Sequence, residues 1–258
     1  MKKSIFAAQI RKYMQYYYSK IISQKKIATG IFHLVVAKND EPIVPGQFYM
    51  LKANDDALSL MRPISVYNVE NKNLHFLYKV VGKGTDLFSK LQKGDKIELL
   101  GPLGNGFPCH EVSGKIALVG GGIGIPPLFE TAKQLLKKGC LVDVFLGYKD
   151  ELFAFEPFEE VCDNIFIASE TGKEGYRGFV TDIFHAQNYN AVFTCGPEIM
   201  MKKIKDLCDA QQIPVWLSME NRMACGIGAC LVCTCKTIEG LKRCCKEGPV
   251  FSGTLISC

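Results

Sequence analysis

Twelve cysteines, gathered toward one end, constrain this chain of 258 residues more than any other feature. None occurs before residue 109, and six fall between Cys225 and Cys245. A disulfide framework staples a whole chain and suits an exported protein. The amino end, MKKSIFAAQIRKYM, does not read as an export signal. Its apolar stretch SIFAA is shorter than the ~7–15 residues of a signal peptide, and Arg11 and Lys12 follow it. No apolar run reaches the ~18–20 residues that span a bilayer. The expected location is therefore cytoplasmic, and the expected role of the cysteine cluster is a metal or iron–sulfur site.

The spacing sharpens that expectation. Cys225-Gly-Ile-Gly-Ala-Cys230-Leu-Val-Cys233, with a further Cys downstream, is the C-x4-C-x2-C…C pattern of plant-type [2Fe–2S] sites. Two glycines between the first two ligands let the backbone wrap where side chains would clash. Backbone N–H groups of such a loop then point at the sulfurs and tune the cluster. A structural zinc site is the alternative, but zinc usually takes two C-x2-C knuckles and only one is clear. Spacing leaves the fourth ligand open between Cys244 and Cys245. Cys235 is expected to pack as a small apolar residue.

The rest of the chain divides in two. From Ile21 to about Leu100, short segments such as GIFHLVVA, QFYMLKA, PISVYNVE, LHFLYKVV and DKIELLG are rich in β-branched and aromatic residues and bounded by turn formers. They predict an antiparallel barrel. One helix is expected in TDLFSKLQKG, with Thr85 as N-cap and Gly94 past its end. The Gly/Pro-rich stretch at 101–115 marks a boundary. Beyond it, KIALVGGG, LVDVFLGY, NIFIASE and NAVFTCG read as strands alternating with helices, which predicts a doubly wound parallel sheet. The expected domains are 1–110 (a barrel, with a basic extension 1–13), 111–213 (α/β) and 214–258 (a cysteine module). Met14 is a second candidate start.

Charge follows the same division. Residues 1–110 carry sixteen Lys/Arg against eight Asp/Glu, and the first 26 residues hold seven basic groups and no acid. A basic arm can bind nucleic acid or anionic lipid. The reading preferred here is a solvated tail with a phosphate-facing bias, with no nucleic-acid or membrane partner.

Four further motifs carry possible chemistry. Gly120-Gly121-Gly122-Ile123-Gly124-Ile125-Pro126-Pro127 joins a strand to a helix. Its glycines allow a tight turn, and the helix start offers N–H donors to a pyrophosphate, although the pattern is not a strict G-x-G-x-x-G. Arg62-Pro63-Ile64-Ser65 combines a phosphate clamp with a hydroxyl. Gly82-Lys83-Gly84-Thr85 opens a helix. Cys195-Gly196-Pro197 ends the last parallel strand, where ligands of such sheets bind. Each alone also fits plain structure: a tight βα turn, a surface strand, a capped helix, a buried Cys.

In this order the motifs resemble the ferredoxin-reductase-like flavoprotein family over about residues 14–213. ENRMACGIGACLVC followed by CKEGPVF narrows the resemblance to the electron-transfer subunits of type B dihydroorotate dehydrogenases, and extends it over nearly the whole chain. The resemblance implies an FAD-binding β-barrel, an NAD-binding α/β domain and a small C-terminal [2Fe–2S] module. It implies that Arg62, Pro63, Ile64 and Ser65 hold FAD, that Leu77, Tyr78 and Lys79 line it, and that Gly84 and Thr85 meet its pyrophosphate. It places NAD at Gly121, Gly122, Gly124, Cys195, Gly196 and Pro197. It assigns the cluster to Cys225, Cys230, Cys233 and Cys245, since the family's last ligand precedes x-x-G-P-V-F. The gap from Cys233 to Cys245 is shorter than the family's, and the extension before Met14 is unusual.

The implied route runs from dihydroorotate through the FMN of a separate catalytic subunit, then [2Fe–2S] and FAD, to NAD⁺. That is a step of pyrimidine synthesis, in a heterotetramer of two copies of each subunit. No general acid or base is expected in this chain. After the third α/β strand, Glu170 disfavours a 2′-phosphate and predicts NAD over NADP, with Lys173 and Arg177 nearby as counter-arguments. Other readings are the flavin subunit of a ferredoxin–NAD(P) transhydrogenase or of a sulfur/sulfite reductase complex, and a zinc-stabilised binding protein.

Overall fold

The computed structural model describes residues 14–53 and 59–256. The basic extension 1–13 and Cys258 lie outside the described residues.

Six strands close a barrel in the order β1-β2-β5-β4-β3-β6. They are β1 (Gln15–Ala28), β2 (Ile31–Ala37), β3 (Phe48–Ala53), β4 (Arg62–Glu70), β5 (Asn73–Lys79) and β6 (Lys96–Leu103). Every pairing is antiparallel. Closure removes the free edges that an open sheet would expose. Leu34, Val36, Tyr49, Leu51, Val66, Phe76, Tyr78 and Leu99 fill the interior. β6 runs through Gly101-Pro102-Leu103, so the barrel reaches into the stretch expected as a connection.

Helix α1 (Lys83–Lys90) covers one end of the barrel and buries Phe88 in its core. It starts a turn earlier than expected. Gly82 is the N-cap, and Thr85 sits three residues inside. The Thr85 hydroxyl accepts from the N–H groups of Val81 (2.9 Å) and Gly82 (3.3 Å). It therefore closes the turn from within, as the N3 residue of a capping box does.

The second sheet has the order β10-β9-β8-β7-β11-β12-β15. Its members are β7 (Lys115–Gly121), β8 (Leu141–Tyr148), β9 (Asn164–Ser169), β10 (Tyr176–Arg177), β11 (Ala191–Cys195), β12 (Val215–Ser218) and β15 (Val250–Ser252). All pairs are parallel except β12 with β15. Among the described residues two α-helices accompany it, α2 (Pro127–Lys137) and α3 (Glu198–Ala210). The helices expected around ELFAFEPFEEV and VTDIFHA are short 3-10 turns at Glu156–Glu160, Val180–Asp182 and Ala186–Asn188. Those segments bury scattered aromatics, Phe158, Phe184 and Tyr189, rather than an apolar stripe long enough to sustain a helix.

The cysteine segment is not separate from this sheet. β12 pairs with β11, and β15, close to the end of the described chain, returns antiparallel onto β12. The division at 213/214 therefore falls just before a strand of the parallel sheet. Between them lies the hairpin of β13 (Thr234–Thr237) and β14 (Gly240–Arg243). Cys233, Cys244, Cys245 and Phe251 share a core with Phe48, Met50 and Leu103 of the barrel. No helix among the described residues is long and apolar enough to cross a membrane.

Candidate functional site

The period-two alternation of β4 and β5 decides which side chains a ligand can reach. Pro63 and Ser65 on β4, and Leu77 and Lys79 on β5, face a cleft of about 280 Å³. The residues between them point away. Ile64 packs on the barrel core. Tyr78 is buried, stacked on Phe32, with its hydroxyl donating to Gln24 Oε1 at 3.1 Å. The expectation that Tyr78 lines the flavin is thus corrected, because a strand residue between two outward ones points inward.

Arg62 turns to α1 instead. An added Cβ on Gly84 would overlap the Arg62 guanidinium, lying 2.5 Å from Cζ. A guanidinium therefore rests on the start of a helix, where the backbone dipole is already positive. Lys83 adds a third positive group there. Such a convergence of positive charge suits an anion, and a pyrophosphate supplies one. Glycine at 84 is what makes room for it. The Thr85 hydroxyl is already spent on the turn, so Thr85 has only its backbone to offer.

Two glycine turns meet at the far wall. β8 to β10 lie on one side of β7, and β11 and β12 on the other, so chain direction across the sheet reverses between β7 and β11. Open α/β sheets bind ligands outside the strand ends at that point. Gly120-Gly121-Gly122-Ile123-Gly124 leaves β7 there, and Cys195-Gly196-Pro197 leaves β11. A Cβ on Gly124 would lie 2.5 Å from Gly196 N, and one on Gly121 2.8 Å from Pro197 Cδ. These glycines are demanded by the packing of one turn on the other.

The expected N–H cradle at the start of α2 is absent. Pro126 and Pro127 carry no N–H. The N–H groups of Leu128 and Phe129 are taken by the carbonyls of Ile125 (3.0 Å) and Pro126 (3.1 Å). Ile123 and Pro127 nevertheless line the cleft. α2 is fixed to the barrel, since Glu130 Oε2 accepts from Val69 N–H (3.1 Å) and Lys133 Nζ donates to Asn68 Oδ1 (2.6 Å). Cys195 is fully buried behind the wall and does not line it. Burial pushes its thiol up, with the Glu220 charge adding to the effect and the neighbouring Ser218 hydroxyl opposing it.

A third wall comes from residues the motif reading did not assign. Ser218, Met219, Glu220, Asn221 and Met223 lead from β12 into the cysteine loop and line the same cleft. Desolvation in this recess raises the Glu220 carboxyl above its ordinary value. Of the four histidines, none is among the cleft-lining residues; His33 and His75 pair with each other, Nε2 to Nδ1, at 3.1 Å.

The cysteine loop turns through positive φ at Gly226 (70°), Gly228 (81°) and Leu231 (62°). A Cβ on Gly226 would lie 2.6 Å from Met50 Cγ, so glycine lets the loop press onto barrel strand β3. Burial pushes the Cys225 thiol up, but the N–H groups of Cys230, Ile227 and Ala229 outweigh it and bring the thiol down to about 6. The Cys230 N–H lies 3.4 Å from Cys225 Sγ. A loop that gathers N–H donors round a sulfur is built for a thiolate. Cys245 N–H lies 3.4 Å from Cys233 Sγ, and the Cys245 thiol feels both Cys233 and Cys225. Cys244 turns instead to Cys235 and is fully buried.

Among the described residues no three His, Cys, Asp or Glu side chains are gathered as for a single metal ion. The cysteines stand as pairs, 225 with 230 and 233 with 245. A two-iron, two-sulfide cluster takes its four thiolates two to an iron, so the set fits that group.

Comparison with known proteins completes the description. The sequence model of the iron–sulfur cluster binding domain of dihydroorotate dehydrogenase B matches residues 220–257. A protein of Clostridium acetobutylicum described as "Dihydroorotate dehydrogenase B (NAD(+)), electron transfer subunit" is 47% identical over 240 residues, covering 93% of this chain and 96% of the relative. Its namesake in Clostridium perfringens is 46% identical over 242 residues, covering 93% and 97%. Among solved structures, one reported under "Insights into flavin-based electron bifurcation via the NADH-dependent reduced ferredoxin-NADP oxidoreductase structure" superposes with a TM-score of 0.82 at 29% identity, covering 93% of this chain and 89% of that one. A Neisseria gonorrhoeae ferredoxin NADP+ reductase with bound FAD and NADP shares the fold, at a TM-score of 0.63 and 18% identity over 76% of this chain and 91% of that one.

Proposed function

The chain belongs to the family of dihydroorotate dehydrogenase B electron transfer subunits, and on that premise we propose which of its residues do the work. It is an oxidoreductase component that carries electrons released from dihydroorotate to NAD⁺ in pyrimidine synthesis, with FAD and an iron–sulfur cluster as carriers. A bound flavin exchanges single electrons with a cluster and a hydride with a nicotinamide, which is why both must reach it.

One observation carries the assignment of roles. A single cleft is walled by β4 and β5 of the barrel, by the glycine turn of the α/β sheet and by the segment entering the cysteine loop. Pro63, Ser65, Leu77 and Lys79 take the flavin ring side, and Arg62 with the Gly84 turn takes the pyrophosphate. The turns at Gly121–Gly124 and Gly196–Pro197 receive the nicotinamide dinucleotide, with Cys195 buried behind them and the wall of apolar and hydroxyl groups keeping water off the hydride path. Cys225, Cys230, Cys233 and Cys245 hold the cluster. Domain roles follow, with FAD on the barrel, NAD on the sheet and the cluster on the segment after it. No residue here is assigned as acid or base.

The partner is an FMN-containing catalytic subunit, two copies of each making the assembly, in the cytoplasm. Support comes from the exposed apolar rim at the cysteine loop and hairpin. Ile227, Leu231, Val232, Ile238 and Leu241 all lie open to solvent there, beside exposed Cys230. Such a patch favours burial against another chain.

The preference for NAD is supported at the strand ends. Glu170 is exposed after β9, where its charge disfavours a 2′-phosphate against the exposed Lys173 and Arg177 nearby. The test is steady-state reduction of an artificial acceptor, together with a visible spectrum. We expect flavin and cluster bands, and a kcat/KM for NADH at least about tenfold above that for NADPH, about 1.4 kcal/mol of discrimination. A colourless chain, or equal use of both, overturns the respective assignment.

A further inference from the structure

Arg243 ends β14, next to the two cysteines in question, yet its side chain turns back to the first cysteine loop. Its Nη1 donates to the Gly228 carbonyl at 2.9 Å. Its Nε donates to Glu247 Oε2 at 2.9 Å, and its Nη2 to Glu247 Oε1. Glu247 Oε2 also accepts the Arg243 backbone N–H at 2.8 Å. An exposed ion pair is worth little. This one is three-quarters sheltered on the Arg side, with a side-chain exposure of 24%, and it uses the planar fork of the guanidinium in full.

The clamp is anchored in turn. The Asn105 side chain donates to the Glu247 carbonyl at 2.9 Å, and Asn105 N–H to the Gly248 carbonyl at 2.6 Å. Asn105 follows barrel strand β6. A continuous chain of hydrogen bonds thus runs from the barrel through Glu247 and Arg243 to Gly228. Gly228 matters because it stands in the loop between Cys225 and Cys230, where the Cys230 N–H lies 3.4 Å from Cys225 Sγ. It has no freedom to take a side chain, since a Cβ there would lie 2.8 Å from Lys246 Cδ. The guanidinium thus sits against that loop, two residues along the chain from Cys245.

We propose that Arg243 is the positioning residue that sets the reduction potential of the iron–sulfur site, by holding Gly228 so that the Cys225–Cys230 loop keeps its N–H donor on the Cys225 sulfur and by keeping a permanent positive charge against that loop. This rests on the reading that Cys225, Cys230, Cys233 and Cys245 are the ligands. Reduction adds one negative charge to the site. A nearby cation and N–H donors aimed at sulfur both favour the reduced form, so both raise the potential. Glu247 opposes part of the charge and orients the rest.

The experiment is an EPR-monitored redox titration of the full-length, cluster-loaded chain and of R243Q, R243K and E247Q, with iron and sulfide counted in each. R243Q should lower the midpoint potential. R243K should fall between R243Q and the unsubstituted chain, because it keeps the charge and loses the hold on Gly228. E247Q should raise the potential, because the guanidinium then acts unopposed. A mere brace predicts that R243Q and E247Q shift the same way, since both weaken the clamp, and that result overturns the proposal. So does an unchanged potential in R243Q at full iron content. If R243Q fails to hold iron, R243K and E247Q decide by the same signs. An unsubstituted chain that binds no iron and sulfide under reconstitution contradicts the ligand reading itself, a distinguishable failure.

Discussion

Neighbouring cysteines with different surroundings give the sharpest residue-scale test. Cys244 and Cys245 are adjacent in sequence and both buried, yet they face different sulfurs. Cys245 meets Cys233 and Cys225, while Cys244 meets Cys235 in the shared core. Cys244→Ser should therefore keep two irons and two sulfides per chain and lose only some stability, about 1–2 kcal/mol for a hydroxyl in an apolar site. Cys245→Ser should lose or weaken the cluster. Iron and sulfide analysis with the visible spectrum reads both, and the reverse pattern would make Cys244 the ligand. Spacing in the sequence left these two open because both follow the same hairpin strand. The family's x-x-G-P-V-F pattern favours Cys245, and the direction of each side chain, a property of the fold, separates them on physical grounds.

At the scale of elements, the local chemistry of each segment decided how well it could be read. The barrel strands were legible because alternating apolar residues and turn formers bound each one. Pro63, Ser65, Leu77 and Lys79, named through the family likeness, line the cleft, while Tyr78, named with them, lies in the barrel core because side chains alternate along the strand. The third wall of the cleft, Ser218 to Met223, was not assigned. β12 joins β11 across a connection containing α3, and its antiparallel partner β15 lies some thirty residues further on, so no local period marks it. Glu220, Asn221 and Met223 lie in the ENRMACGIGACLVC run that carries the family likeness, whereas Ser218 and Met219 precede it and belong to no motif. Two element-scale predictions follow from packing. Gly84→Val drives a side chain into the Arg62 guanidinium at the start of α1. FAD affinity should fall about tenfold or more, roughly 1.4 kcal/mol, as read by flavin release on dilution. The other concerns Asp143, which ties β7, β8 and β9 together. It accepts from Lys115 Nζ at 2.7 Å, Asn164 Nδ2 at 2.8 Å and Tyr189 Oη at 2.9 Å. Burial pushes its carboxyl up, but these donors outweigh burial and hold it below the usual carboxylate range. A depressed folded value stabilises the fold above the unfolded value and loses that stabilisation as pH falls through the folded one. The contribution is thus present at pH 7 and declines below about pH 4. Asp143→Asn should cost about 2 kcal/mol at pH 7, less than a fully buried pair because Lys115 is partly open to solvent. Denaturant titrations from pH 7 to pH 3 should show a shallower acid decline in Asp143→Asn, and parallel curves would refute the account.

For the whole molecule, the arrangement of the three walls implies a division of labour. The cleft joins barrel, sheet and the approach to the cysteine loop, and the proposed roles bring NADH and the flavin together in it. The cysteine loop lies at its surface, with Cys230 exposed and an apolar rim around it, so electrons arriving there come from another protein. Dihydroorotate oxidation needs a base for a carbon-bound proton, and a member of the electron transfer subunit family leaves that step to its partner. The isolated chain should therefore reduce dyes with NADH and leave dihydroorotate untouched. Adding the partner catalytic subunit should restore transfer from dihydroorotate to NAD⁺. Cys230→Ser separates the two halves of the path. It removes a ligand at the exposed end of the loop, away from Gly226 and its contact with Met50, so the barrel and its flavin site keep their packing. NADH-to-dye activity should stay within about twofold, while partner-dependent transfer should fall by at least about a hundredfold, some 2.7 kcal/mol in the limiting barrier. Flavin content and a thermal melt on the same preparation guard against unfolding. Equal loss of both activities with flavin retained would place the cysteine loop on the NADH-to-dye path as well. Dihydroorotate oxidation by the chain alone would move the substrate site into this subunit and undo the assignment.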